Sequence, residues 1–303
     1  MTGSIWNSCM NRKPTAYALL LVLMACVFSG SVGADCKLDF AESLMAEKDY
    51  FRAITEFKKI KFFCADESLR QFCDLKISEA YLWSNKYDLS ISVLGSLASL
   101  GGLNEKRMQE VDILLGLNYL GMRVFPTAQG YFNKALDAGS SFFPLLYLAL
   151  IDAEDGKWLE SEKRLVLAME TPEAGPYRSA IEELRSTVRR GPSLESRSTF
   201  LAFTLSAAVP GAGQLYTGHP VDSIQALLSV GALSFATYGF YLYDSSRRDS
   251  YLLTGLGIFV TALFHGANIY GATRTAEYFN AKQKEDFLAS VRESVFSIWL
   301  EIQ

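Results

Sequence analysis

The sequence is short of the side chains that most often do chemistry. Histidine occurs twice in 303 residues, at His219 and His265, and cysteine five times with no CxxC pair. A structural zinc site needs four converging nitrogen or sulfur ligands, and both histidines lie far along the chain from the cysteines. Nucleophilic catalysis needs a serine or cysteine with a base beside it, and no GxSxG frames a serine. The one glycine-rich stretch, VPGAGQLYTGHP (209–220), fails as a phosphate loop. GAGQLY is not GxGxxG, no Gly-Lys-Ser/Thr follows, and no strand precedes it in a βαβ pattern. A net charge of -4 without a basic stripe argues against nucleic acid. The expectation is therefore a protein that is not an enzyme, with no catalytic centre, no metal, no cofactor and no nucleotide.

Charge is missing from whole tracts as well. It is dense between Lys37 and Arg197, absent from 198–221, and absent again from 224–243. The chain is polar first and oily last. At the start, Asn11, Arg12 and Lys13 precede the apolar run AYALLLVLMACVF (16–28) and the small residues SVGA (31–34). That is the layout of a signal peptide covering 1–34, with an uncleaved anchor or a lipid on Cys26 as alternatives. All three export the chain beyond residue 34. Removing the signal takes Cys9 and Cys26 and leaves Cys36, Cys64 and Cys73. In an oxidising compartment an odd number allows one disulfide and one free thiol.

Between residues 36 and 169 the sequence repeats itself. Tyr50, Tyr87, Phe125 and Trp158 serve as anchors, spaced 37, 38 and 33 apart. Three residues after them stand the small Ala53, Ser90, Ala128 and Ser161, and seven after them Phe57, Leu94, Phe132 and Leu165. Nine before them stand Ala41, Ser78, Gly116 and Ala149, and ten after them Ile60, Leu97, Ala135 and Ala168. Apolar residues at spacings of three, four and seven define helices, and the small ones let two helices approach. The unit is a helix pair, repeated four times. PYRSAIEELRSTVRR (176–190) reads as a capping helix for the last apolar surface.

This pattern resembles the tetratricopeptide repeat, although the proline that usually closes each repeat is missing. The resemblance implies a solenoid over 35–195 with a concave groove that binds partner proteins. The candidate groove residues, on the exposed faces of the first helices, are Tyr81, Asn118, Tyr119 and Asp152. The alternative for Tyr81 and Tyr119 is packing between helices.

Two stretches, 224–243 and 251–270, are uncharged over about twenty residues, enough to cross a bilayer. The short connector makes them an antiparallel transmembrane hairpin. Ala232 with Ala236 and Ala262 with Gly266 are small pairs that would pack it. Ahead lies 199–218, also uncharged, but Pro210, Gly211 and Gly213 break any helix there. A broken helix at membrane depth must have its freed backbone groups satisfied, so this reads as a re-entrant or interfacial turn. The polar residues at hand are Gln214, Tyr216, His219, His265 and Asn268; His219 at the loop edge has Asp222 nearby. Residues 274–303 read as a separate amphipathic helix, with Phe287, Leu288, Val291, Val295, Ile298, Trp299 and Ile302 on one face. It either lies in the membrane interface or packs on the repeats.

PGAGQLYTG before a two-span hairpin resembles a group of bacterial membrane proteins with a PGxGQxY signature and no agreed activity. In some, a tetratricopeptide-like domain precedes the membrane part. The fold expected is all-α: a helical-repeat solenoid, a broken helix, then a transmembrane hairpin making a membrane domain of 199–273. The function expected is a scaffold tethered to the bacterial inner membrane, its repeats on the exported side, its partners other envelope or membrane proteins and the bilayer itself. With Arg247 and Arg248 in the connector, the positive-inside tendency agrees there, and it agrees less well at Arg189, Arg190, Arg197, Arg274, Lys282 and Lys284, which would then lie outside. If 199–218 crosses instead, the C-terminus lies inside. The alternative function is a lipid-handling, transporter-like or insertion-accessory module that the repeats regulate.

Overall fold

The structure, a computed structural model, describes residues 37–139, 142–247 and 250–300. The expected signal (1–34), Cys36, Arg248, Ile302 and the Trp299 side chain lie outside the described residues. Among those described there are helices and turns and no strand. By packing they divide into two units, one ending at Gly139 and the other beginning at Ser140.

The first unit is three helix pairs: α1 (Asp39–Ala46) with α2 (Tyr50–Phe63), α3 (Glu67–Trp83) with α4 (Tyr87–Leu100), and α5 (Glu105–Gly121) with α6 (Phe125–Asp137). Three of the aromatic anchors are the first residues of α2, α4 and α6. Two residues before each, the chain turns through a left-handed residue: Lys48, Asn85 and Arg123, with φ of 62°, 58° and 60°. The same pair of bonds closes each turn. Lys48 N donates to Met45 O and Asp49 N to Leu44 O; Asn85 and Lys86 do the same to Leu82 and Tyr81, and Arg123 and Val124 to Leu120 and Tyr119. This satisfies carbonyls that a helix end would otherwise orphan.

The small residues sit where the helices of a pair touch. Ala41, Ala53, Ser78, Ser90 and Ala128 are 0–1% exposed, and Phe57, Leu94 and Phe132 are wholly buried beside them. A Cβ on Gly116 would stand 2.5 Å from the Phe132 ring. Ser90 Oγ crosses to donate to Ser78 O at 2.8 Å. Phe40, which precedes the small Ala41, departs from the pattern at 54% exposed, under Arg52.

Cys64 is disulfide-bonded and Cys73 is a free, buried thiol. Burial and the neighbouring Asp74 push the Cys73 thiol up to about 11, which keeps it protonated and unreactive at neutral pH.

The second unit opens with the fourth pair, α7 (Phe142–Glu154) and α8 (Trp158–Met169), the latter again starting on its anchor. Here the left-handed turn residue is Gly156, φ 75°, and Ser161 Oγ donates to Ala149 O at 2.7 Å. Then come α9 (Arg178–Val188), α10 (Thr199–Ala208), α11 (Ala212–Tyr216), α12 (Pro220–Arg247) and α13 (Leu252–Leu300).

Of these, α12 and α13 are long and apolar enough to cross a membrane. Only 6% and 17% of their most apolar windows is buried within the chain. Between them, Asp244 accepts from Thr254 N and Oγ1 at 3.0 and 2.8 Å, an acid at the start of α13.

The second half of α13 does not form a separate helix. No glycine follows Gly271 and no proline follows Pro220, so nothing in the sequence stops a helix rich in Ala, Glu, Lys and Arg. Its tail packs on α7 and α9. Leu288, Val291, Val295 and Ile298 are 1–3% exposed, Phe287 stands edge-on to Trp158 at 5.5 Å, and Arg292 pairs with Glu154 and Glu285, both at 2.5 Å. Of the two expectations for the tail, packing on a helix pair is the one observed.

Candidate functional site

The PGAGQLY stretch folds back along α13. Beginning at the α10 end, Arg197 N donates to Asn280 Oδ1 while Asn280 Nδ2 donates to Arg197 O. Helix α10 then runs antiparallel to α13 as far as Ala207, whose carbonyl lies 3.2 Å from His265 Nε2. Because a carbonyl only accepts, Nε2 carries the proton. Short α11 climbs back until Thr217 Oγ1 meets Thr275 Oγ1 at 2.9 Å.

Each residue of the signature has a task in that turn. Val209, before Pro210, is extended (φ -136°, ψ 117°), as a residue preceding proline must be to avoid the ring, and it ends α10. Gly211 takes φ 87°, and a Cβ there would lie 2.2 Å from Ser223 O. At Gly213 a Cβ would lie 2.2 Å from Ala202 O and 2.7 Å from the Ala272 Cβ. Only glycine lets these backbones approach.

Gln214 and Asn268 then take up the freed polar groups. Asn268 Oδ1 accepts from Gly211 N at 3.1 Å and from Gln214 Nε2 at 3.0 Å, and Asn268 Nδ2 faces Ser206 O at 3.4 Å. Gln214 Nε2 also donates to Asn268 O, and Gln214 Oε1 accepts from Ser206 Oγ, which in turn accepts from Gly213 N. The residues are buried: Ser206 0%, Gln214 5%, Asn268 8% exposed. Every polar group of the cluster meets another within the chain, which is what a broken helix requires where water is absent.

Tyr216 closes the device from above. Its hydroxyl accepts from Ser198 N at 3.1 Å, and the Arg197 guanidinium lies between its ring and that of Phe279, 5.3 and 5.2 Å from the centroids. Such cation–π contacts fix the entry into α10. His219 turns back on Thr217, its Nδ1 3.1 Å from the carbonyl, while Asp222 is exposed.

The small pairs expected to pack the hairpin do not do so. Ala232, Ala236, Ala262 and Gly266 are exposed. The contact runs instead through Gly257, where a Cβ would meet Thr237 at 2.8 Å, and through Thr237 Oγ1 to Thr261 Oγ1 at 3.1 Å. The seam follows the face that also carries His265 and Asn268, because one helix face must serve all of α13's partners in turn.

The candidate groove residues have divided fates. Asn118 is fully buried, donating to Ser90 Oγ and Leu114 O. Asp152 is 4% exposed and bound to Arg164. Both are spent on internal packing, since an amide and a carboxylate between helices must find partners there. Tyr119 is half-buried and stacks on Tyr131 at 5.6 Å, the between-helix alternative. Tyr81 is half-buried, with Lys58 Nζ donating to its hydroxyl at 3.2 Å. Sequence reasoning missed Ser206, Arg197 and Asn280, polar residues with no spacing signal that only the fold-back brings together. Among the described residues no cluster of three His, Cys, Asp or Glu converges. Comparison with known protein families, curated proteins and solved structures finds no match to this chain.

Proposed function

We propose that this protein is a membrane-tethered scaffold of the bacterial envelope, in which tetratricopeptide-like helix pairs hold partner proteins and α12 with α13 forms the transmembrane hairpin. The observation that carries this reading is α13 itself. Its first half presents outward apolar side chains, and its second half is bound, without a break, to the fourth helix pair. Whatever holds the first half therefore holds the pair. The turn built by Gln214 and Asn268 supports a re-entrant or interfacial α10: ten residues rise only about 15 Å, half of a hydrocarbon core of about 30 Å. Two crossings then leave the tail and α7–α9 on one side, the exported one, and Arg247 on the other. For the alternative, a transporter-like or lipid-handling module, Gln214 and Asn268 would have to give up bonds that hold the turn.

Two measurements on the full chain in its native envelope test this. With single cysteines at Ser290 and Ser246, a membrane-impermeant maleimide applied from outside is expected to label Ser290→Cys and spare Ser246→Cys; the reverse, or equal labelling, sinks the topology. Photo-crosslinkers at Tyr81 and Tyr119 are expected to capture discrete protein partners that one at exposed Ser96 does not. Equal or absent capture at all three sinks the scaffold.

A further inference from the structure

Beneath the α10–α11 turn lies a hollow of about 490 Å³, walled by Val230, Ser234 and Thr237 of α12 and by Ile258, Thr261 and His265 of α13, with Ala207, Ala208 and Pro210 as its ceiling. We propose that it seats one acyl chain of a bilayer phospholipid, entering from the leaflet on the connector side. This rests on the membrane reading above.

Three observations select that occupant. First, depth: no charged residue occurs in 224–243 or 251–270, and Phe235, Ile258, Phe259 and Leu263 beside the hollow are 80%, 59%, 62% and 56% exposed. In a bilayer those side chains meet hydrocarbon, and so does the opening, where Ser234 and Ala262 are exposed. Second, the lining has no free hydrogen-bond donor. Ser234 Oγ donates to Val230 O, Thr237 Oγ1 to Leu233 O, and Thr261 Oγ1 then donates to Thr237 Oγ1. The His265 Nε2 proton is spent on Ala207 O, and Nδ1 is a buried acceptor without a partner. No donor is left over for a phosphate, an anion or a peptide carbonyl, whereas a hydrocarbon chain gives up no hydrogen bond on entry. Third, size: one turn of a helix with its side chains fills on the order of 500 Å³, so a partner helix would exhaust the volume in a single turn, while a flexible chain can thread it. The re-entrant turn leaves this gap because it stops at His265 and the hairpin goes on. An unfilled gap forfeits dispersion contacts along all of its walls.

The test uses the full-length protein in phosphatidylethanolamine and phosphatidylglycerol vesicles containing a trace of phosphatidylcholine with a diazirine midway along one acyl chain. After photolysis, adducts are mapped by peptide mass spectrometry. Adducts are expected to concentrate on Thr237 and Thr261 above those on outward Phe235 and Phe259, and to be lost from the two threonines in Ala262→Trp, which blocks the opening. Excess unlabelled phospholipid should compete for the threonine adducts in the wild-type chain, a readout that stands even if the variant misfolds. Even labelling of all four residues, or threonine adducts that survive both the tryptophan and the competitor, overturns the site while leaving the hairpin in the bilayer. No adduct anywhere in α12 or α13 overturns the membrane reading itself. Dimer cross-links without lipid adducts on the threonines would give the hollow to a second copy and also overturn it.

Discussion

Phe57 and Phe132 in the helix pairs are wholly buried, whereas Phe235 and Phe259 in α12 and α13 are 80% and 62% exposed. In the pairs, Phe57 and Phe132 turn toward a neighbouring helix, where burial contributes about 1.5–3 kcal/mol per large side chain, while Phe51 and Phe62 stay outward at 83% and 78% exposed. In the apolar helices the arrangement is inverted: small and polar residues, Gly257, Thr237, Thr261 and Asn268, make the contact and the large apolar ones face out. Where the medium is itself apolar, phenylalanine gains little by hiding, and hydrogen bonds and close backbone approach do the joining. Hydrogen bonds thus have different parts in the two regions. Ser90 to Ser78 supplements a packed interface, while Asn268 carries one.

That comparison can be broken most severely at Asn268. Asn268→Leu strands Gly211 N and Ser206 O, at about 1–3 kcal/mol each, and leaves Gln214 Nε2 only its bond to the residue 268 carbonyl, so a loss of roughly 2–6 kcal/mol is expected in denaturation of the full chain in detergent. Next comes the phenylalanine contrast: Phe132→Ala should cost about 3–5 kcal/mol through the cavity it leaves, read as faster hydrogen exchange in α5 and α6. Phe235→Ala should stay within about 0.5 kcal/mol. A large effect at Phe235 would mean that the outward face is covered by protein.

Smaller changes sharpen the picture within the helix pairs. Ser90→Ala removes the bond to Ser78 O and also leaves Asn118 Nδ2 with one partner fewer, so about 1–2 kcal/mol is expected, against about 1 kcal/mol for Ser161→Ala; urea midpoints would separate them. Arg123→Gly should stabilise by up to about 1 kcal/mol, because the turn needs a left-handed residue and only glycine adopts it without strain.

The smallest effect concerns Asp112. Burial pushes its carboxyl above the usual range, against the pull of Lys134. A raised carboxylate pKa favours the folded state while the group is protonated, and that advantage is lost as pH rises through the folded-state value. Asp112→Asn should therefore stabilise slightly at neutral pH, an effect that shrinks as pH falls toward the carboxylate range, as paired thermal scans would reveal.

Much of the architecture was legible in the residues. The four anchors mark the first residues of α2, α4, α6 and α8, because an aromatic residue opening a helix must be followed by small and apolar residues at helical spacing if it is to pack. The break at Pro210 was legible too, since a ring without an N–H cannot continue a helix. The burial of the candidate groove residues was less so. Asn118 and Asp152 looked like surface residues because polarity alone does not reveal which helix face is turned inward.

The sequence by itself determined the helices, their pairing rhythm, and which tracts are long and apolar enough to cross a membrane, because these follow from local spacing and composition. Tertiary structure alone decided that α13 continues into the fourth helix pair, that Gly257 rather than Ala262 makes the hairpin seam, and that Ser206, Gln214 and Asn268 meet. Those outcomes depend on residues tens of positions apart satisfying one another's hydrogen bonds, and a bond between distant groups leaves no periodic mark in the chain.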